Sequence, residues 1–168
     1  MPVTTDIIQT WRSPKVVYRR LLSAGQREDR AIALLMLACF IIFIAQWPRL
    51  VRISQGFDLT AGTEVPGLDR LMSYEFMGWL MVWPLGLYAI AGLVVLVLRL
   101  FGTKITGYGG RLALFWALLA TTPVMLFYGL LRGLNGDVLA TKLAGSLWIA
   151  ALILFYILGL RVAAEHQE

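Results

Sequence analysis

Residue types that could carry out catalysis are few in this chain of 168 residues, and they lie far apart. There is one cysteine, Cys39, inside an apolar run, and one histidine, His166, near the end of the sequence. A single cysteine can form neither a disulfide within the chain nor a thiolate metal site, which needs several ligands. The sequence also contains no phosphate-binding glycine loop followed by Lys and Ser or Thr, and no Ser-His-Asp grouping. We therefore predict that the protein is not an enzyme and holds no cofactor or metal.

The remaining chemistry is that of positive charge, which lies mainly in two short segments. Residues 13–21, SPKVVYRRL, place Val17 and Leu21 at helical spacing beside a basic face. This pattern predicts an amphipathic helix in the lipid headgroup region, where cations attract anionic lipid. An alternative is a helix packed on the protein's own hairpin tip, the glycine-rich turn within 99–111. The residues predicted to contact anionic lipid or a protein partner are Lys15, Arg19, Arg20, Lys104, Tyr108 and Arg111.

The elements that must position these residues are predicted to be apolar helices. Hydrophobic residues make up 59% of the chain and the mean hydropathy is +0.74, well above a soluble domain. We predict an all-α integral membrane protein, a bundle of four transmembrane helices preceded by an N-terminal amphipathic interfacial helix. A cytoplasmic basic segment, 1–30, precedes a transmembrane domain, 31–161, and a polar tail, 162–168, follows. The predicted spans, each near the length that a bilayer requires, are 31–47, 76–98, 112–131 and 143–160.

The distribution of lysine and arginine predicts the orientation. Ten of them fall on the side of the N-terminus and of the turn within 99–111, and five fall on the other side. Basic residues mark the cytoplasmic side, so we expect both termini there, in a bacterial cytoplasmic membrane. The stretch 49–74 is predicted to be an extramembrane loop with a short amphipathic helix from Leu68 to Tyr74, and partial embedding of this stretch stays open.

The stretch from Arg99 to Pro123 carries a resemblance to a known family. An apolar helix ends in a basic residue, a turn with Gly and Tyr follows, and Arg111 opens a helix that reaches Pro123. This arrangement resembles the signature region of the Yip family, membrane proteins named for interaction with Ypt/Rab GTPases that have bacterial relatives. Residues 13–21 resemble the basic segment before the first span in the bacterial branch. The resemblance implies membrane organisation and partner binding, although four spans here depart from the usual five.

Small residues and prolines predict how the helices pack. Small side chains at i, i+4 let membrane helices approach closely, either within one bundle or between molecules. These positions are Ala113, Ala117, Thr121, Gly129 and Gly133. Pro84 and Pro123 each remove a backbone donor, so we predict kinks there, with Thr121 and Thr122 compensating beside Pro123.

Taken together, these features predict a non-enzymatic accessory, scaffold or assembly protein. Its expected partners are anionic membrane lipids and other integral membrane proteins, and not nucleic acid. Two alternatives stay open: a supernumerary subunit of a large energy-converting membrane complex, and a small homo-oligomeric transporter or channel. The second is weakened because no predicted span contains a charged residue or histidine between its end residues.

Overall fold

The structure is a computed structural model that describes residues 3–59 and 64–165. Within these ranges the regular structure is helical, with no β-strand. The helices are α1 (Val3–Arg12), α2 (Pro14–Ser23), α3 (Glu28–Ser54), α4 (Leu68–Met77), a π-helical turn (Gly78–Val82), α5 (Trp83–Leu100), α6 (Gly107–Ala120), α7 (Thr122–Asn135) and α8 (Leu139–Glu165). Helix α8 therefore includes the first four residues of the predicted polar tail, while His166 lies outside the described residues.

Three helical stretches are long and apolar enough to cross a membrane: α3, the continuous helix Leu68–Leu100, and α8. Helices α6 and α7 meet at a bend of 45° and would form a fourth span if the pair is counted as one. The protein is thus all-helical, with three or four long apolar segments where four were expected. Helix α3 continues through Pro48 to Ser54, so this helix extends seven residues beyond the end of the predicted span 31–47.

Helix α6 forms the centre of the bundle. It contacts α3, α5 and α8 along its length and also α1. Its side chains fill the axis of the bundle, and Phe115, Trp116 and Leu119 are each at most 1% exposed. At its N-terminal end α5 approaches so closely that a Cβ on Gly110 would collide with Val95. Helix α6 is almost wholly apolar and is buried on all sides. Its fixed place in the bundle positions the turn that precedes it.

Helix α7 packs directly against α3 through the predicted Gly-x-x-x-Gly pair. A Cβ added to Gly129 would lie 2.8 Å from the carbonyl carbon of Ala45, and one on Gly133 would lie 2.7 Å from that of Pro48. Both obstacles are backbone atoms, which cannot rotate away. The two glycines therefore serve packing within this chain, and α3 and α7 form the most extensive helix pair.

The bend between α6 and α7 lies next to Pro123 and is held by two threonines. Pro123 has no N–H to donate to the carbonyl of Leu119, four residues earlier. The Thr122 hydroxyl donates to that same oxygen at 2.8 Å, and the Thr121 hydroxyl donates to Ala117 at 3.0 Å. Both hydroxyls are buried, so the local side chains satisfy the backbone that the proline leaves open.

Pro84 is accommodated differently, within a continuous helix. The π-helical turn Gly78–Val82 precedes it, and the N–H of Trp83 donates to the carbonyl of Gly78, five residues earlier. A π turn adds one residue to the helical repeat and so leaves room for the proline ring. Leu68–Leu100 consequently forms one apolar stretch of 33 residues. The predicted helix from Leu68 to Tyr74 is the beginning of this stretch.

The N-terminal segment is a helical hairpin packed into the bundle, which corrects the predicted interfacial helix. The apolar stripe of α2, Val17 with Leu21, is at most 1% exposed because α8 covers it. The Tyr18 hydroxyl donates to the carbonyl of Ala113 at 3.3 Å. This stripe is not available to lipid, so the prediction of an aliphatic face in the headgroups was wrong. The alternative, a helix packed on the protein itself, agrees better with the structure, although the main partner of α2 is α8 and not the hairpin tip.

The turn of this hairpin reaches well along the bundle. Trp11 Nε1 donates to the carbonyl of Ala120 at 2.9 Å, and Trp116 Nε1 donates to the Thr10 hydroxyl at 3.0 Å. Ala120 lies about 20 Å from the start of α6. The Trp11 ring also meets Phe155 edge to face, with 5.0 Å between centroids. The hairpin therefore runs beside α6 and α8 rather than across their ends.

Candidate functional site

Ion pairs between helices define the two ends of the bundle. At one end Arg111 pairs with Glu28 at 2.6 Å and Arg19 pairs with Glu165 at 3.1 Å, which ties together α2, α3, α6 and α8. We call this the basic end. Its residues are those around Arg19–Arg30, 99–111 and 161–165. At the opposite end, residues 49–59, 64–75 and 132–142, Arg49 of α3 pairs with Glu75 of α4 at 3.2 Å.

Cations at the opposite end are largely neutralised. Arg52 pairs with Asp58 at 3.2 Å, and Arg132 and Lys142 share Asp137 at 3.2 and 3.9 Å. With the Arg49 pair, four of the five basic residues there have a carboxylate partner. This end therefore presents little net charge.

The basic end has an excess of uncompensated cations. Among the residues that the structure describes, four of its basic side chains have no carboxylate within 4.0 Å. These four are Arg30, Arg99, Lys104 and Arg161. Arg27 is paired with Asp29 at 2.9 Å, and the hydrogen bond from Arg27 lowers the pKa of the Asp29 carboxyl. A fixed excess of positive charge at one end attracts anionic headgroups or acidic protein segments.

The structure does not gather the predicted contact residues into one free surface. Lys104 is exposed on the turn before α6, and Lys15 is exposed on the turn of the N-terminal hairpin. Arg19 is engaged with Glu165, and Arg20 is engaged with Asp6 and with Gln9. The arginines therefore hold helices together at the basic end as well as carrying charge.

Tyr108 is not on the surface, and its prediction as a contact residue was wrong. The side chain is 4% exposed, because α6 begins at Gly107 and its first turn already lies against the bundle. The Tyr108 hydroxyl has no hydrogen-bond partner within the described ranges. Thr106 caps this helix by accepting a hydrogen bond from the Gly109 N–H at 3.1 Å, which fixes where the turn ends.

A groove of about 460 Å³ lies at the basic end between α5 and α6. Its apolar floor comes from α5, and Arg99 of α5 and Arg111 of α6 both line it. The lining residues are Tyr88, Gly92, Val95, Leu96, Arg99, Gly107 and Arg111. Of these, the sequence singled out only Arg111 as a contact residue. The signal that could have found Arg99 is its place as the last basic residue of an apolar helix, directly before the turn.

The outward faces of two long helices are apolar and uncovered. In the most apolar 18 residues of Leu68–Leu100 only 17% are buried, and in those of α8 only 22% are buried. The corresponding share for α3 is 50%. The exposed large side chains include Met81, Leu85, Ile90, Leu93, Leu96, Leu100, Leu147, Ile153 and Ile157. These side chains form continuous apolar faces on the outside of the bundle.

Comparisons of the chain with protein-family models, with curated proteins and with solved structures find no match. The structure by itself defines the class: its described residues are all-helical, with three or four apolar helices of membrane-spanning length and, at one end, four cations that have no carboxylate partner among those residues.

Proposed function

We propose that this chain is an integral membrane protein of the bacterial cytoplasmic membrane, a non-enzymatic accessory or scaffold that binds anionic lipid and other membrane proteins through its basic end. The proposal rests on one observation. The structure combines apolar helix faces that nothing covers with cations at one end that have no carboxylate partner among the described residues. Soluble monomers rarely expose contiguous apolar patches above a few hundred Å², and the outer faces of Leu68–Leu100 and α8 call for lipid or protein cover.

The charge distribution supports an orientation with the basic end in the cytoplasm. Lysine and arginine favour the cytoplasmic side, and eight of them lie at the basic end against five at the opposite end. The second half of α2 and the last turn of α8 lie at this same end, joined by Arg19 and Glu165. Arg12 and Lys15 lie apart from these cations, on the exposed turn of the hairpin about 20 Å further along α6.

The Yip resemblance of the stretch from Arg99 to Pro123 supports a role in membrane organisation. This stretch comprises the end of α5, the turn at the basic end and the central helix α6. A bacterial relative needs no GTPase partner, so the proposed partners are membrane proteins with acidic cytoplasmic segments.

A pore through one copy of the chain has no support, because Phe115, Trp116 and Leu119 fill the bundle axis. Transport would require a path between copies. A supernumerary subunit would instead place the apolar faces of α5 and α8 against a larger complex, and the test below separates these alternatives.

The test is gentle extraction of the tagged full chain at native expression level, followed by sizing and mass spectrometry of co-purifying proteins. We expect a defined set of membrane proteins that is depleted in a Lys104→Gln, Arg161→Gln variant. The matched control is Arg70→Gln, which removes an exposed cation at the opposite end and should leave the set unchanged. An unchanged set in the double variant contradicts partner binding through the basic end. A fixed stoichiometric complex would identify a subunit, and a pure homo-oligomer would favour transport.

A further inference from the structure

We propose that the groove between α5 and α6 is a binding site for one anionic phospholipid, with the phosphate between Arg99 and Arg111 and an acyl chain along Gly92 and Leu96. This inference rests on the proposed membrane location and specifies the lipid that the basic end takes.

Arg99 supplies an oriented cation to the groove. Its Nε donates to the carbonyl of Ile105 at 2.9 Å, which holds the guanidinium plane between the end of α5 and the turn. No carboxylate of the described residues pairs with it. The two terminal nitrogens thus keep their N–H donors for a ligand, and a planar guanidinium matches two phosphate oxygens.

Arg111 stands across the groove and is held by three contacts. Its Nε donates to the carbonyl of Gly107 at 3.1 Å, a terminal nitrogen pairs with Glu28 at 2.6 Å, and the guanidinium lies 5.7 Å from the Tyr88 ring centroid. Glu28 offsets the charge of Arg111, so the pair of arginines carries a net charge of about +1. A phosphodiester, with one negative charge, balances this site.

The first turn of α6 adds to the same field. Gly107 lines the groove, and α6 has 14 residues, so the positive end of its dipole points toward the site. The Tyr88 hydroxyl, which also lines the groove, is buried and has no hydrogen-bond partner in the described part of the chain. Two arginines, the start of α6 and Tyr88 thus line one groove, and none of its described lining residues is acidic.

Along α5, between Tyr88 and Arg99, the groove is apolar and open to the outside of the bundle. Leu96 is 56% exposed, and no atom lies within 4 Å of a Cβ placed on Gly92. The neighbouring outward residues of α5, Leu93 and Val97, continue the apolar face toward the membrane interior. A soluble phosphate would leave this floor uncovered, whereas a lipid covers it with an acyl chain. A phospholipid fits both the arginines and the apolar floor of the groove.

The test is native mass spectrometry of the full chain, titrated with phosphatidylglycerol or with phosphatidylcholine of the same acyl chains. We expect one phosphatidylglycerol to be retained about tenfold more strongly than phosphatidylcholine. Arg99→Gln should lower its retention about tenfold, and Arg99→Lys should restore only part of it, because lysine keeps the charge and lacks the planar pair of donors. Gly92→Leu should lower it similarly by filling the groove.

Gly86→Leu is the matched control for Gly92→Leu. Gly86 lies on the same helix with equally open space around it but outside the groove, so retention should stay at the level of the unmodified chain. Equal retention of the two lipids, or a Gly92→Leu variant that retains as much as Gly86→Leu, would overturn the site. Displacement of phosphatidylglycerol by equimolar glycerol phosphate would show that the acyl chain adds nothing to binding. The groove would then be a site for soluble phosphates, and the proposed lipid site would be overturned.

This experiment and the co-purification test can fail independently. Loss of the lipid preference with partner capture intact removes the groove site and keeps the accessory function. An unchanged set in the Lys104→Gln, Arg161→Gln variant removes partner binding through the basic end and leaves the lipid titration interpretable, because neither residue lines the groove.

Discussion

The hydroxyl of Thr122 shows how a single side chain allows a proline in the middle of the bundle. It donates at 2.8 Å to the carbonyl of Leu119, to which Pro123 has no N–H to donate, and it joins a backbone N–H at the end of α6 on the same oxygen. Thr122 is 3% exposed. Where water is absent, a backbone carbonyl without a partner is costly, so this short contact stabilises the bend.

Thr122→Val keeps the shape of the side chain and removes the donor. We expect the free energy of unfolding to fall by about 1 kcal/mol, because the buried Leu119 carbonyl loses its side-chain donor and keeps only the backbone N–H at the end of α6. Reversible denaturation by sodium dodecyl sulfate in mixed micelles measures it. Ser146→Ala is the control, since its exposed hydroxyl donates to Lys142 within an unbroken helix and its loss should have little effect. Equal stability of Thr122→Val and the unmodified chain would contradict this role.

At the scale of elements, the closest approach between helices is that of α7 to α3. Gly129 and Gly133 let the two backbones meet where lipid-facing apolar surface alone offers no preference for a protein partner. The N-terminal hairpin uses a different device, large buried side chains and two indole hydrogen bonds, to dock against α6 and α8.

Gly129→Ala tests the close approach. The new methyl group would collide with the backbone of Ala45, so α7 must move away from α3, and we expect a loss of about 2 kcal/mol or more. The melting temperature in detergent measures this. Gly86→Ala, on α5 with open space around it, should be neutral or slightly stabilising because alanine favours helix. A Gly129→Ala variant as stable as Gly86→Ala would mean that α3 and α7 are not packed as described.

At the scale of the whole molecule, the two ends differ in charge balance more than in shape. The opposite end matches four of its five basic residues with carboxylates, while the basic end leaves Arg30, Arg99, Lys104 and Arg161 unmatched in the described chain. This asymmetry carries both the proposed orientation and the proposed affinity for anionic lipid.

Single cysteines at the two ends test the orientation. In a Cys39→Ala background, Lys104→Cys should react with a membrane-impermeant maleimide only in inverted vesicles, and Lys142→Cys only in intact spheroplasts. Both side chains are exposed in the structure, at the basic and the opposite end respectively. Labelling of both from the same side would contradict the membrane-spanning arrangement, and reversed labelling would contradict the orientation.

The sequence alone was enough to predict the apolar helices, the presence of a bend beside Pro123 and the roles of Thr122, Gly129 and Gly133 as short-range features. Hydropathy, proline and the spacing of small residues are local properties, so they can be read without knowing which helices are neighbours. For the same reason the charge imbalance between the two ends was visible as soon as the apolar runs were placed.

Only the tertiary structure decided which face of each helix is covered. Tyr108 and the stripe of Val17 and Leu21 resemble surface groups in sequence, yet both are buried because α6 is central and α8 lies against α2. The groove at Arg99 likewise exists only because α5 and α6 meet there. Burial depends on neighbours distant along the chain, as in the contact of Tyr18 with Ala113, and no local pattern specifies them.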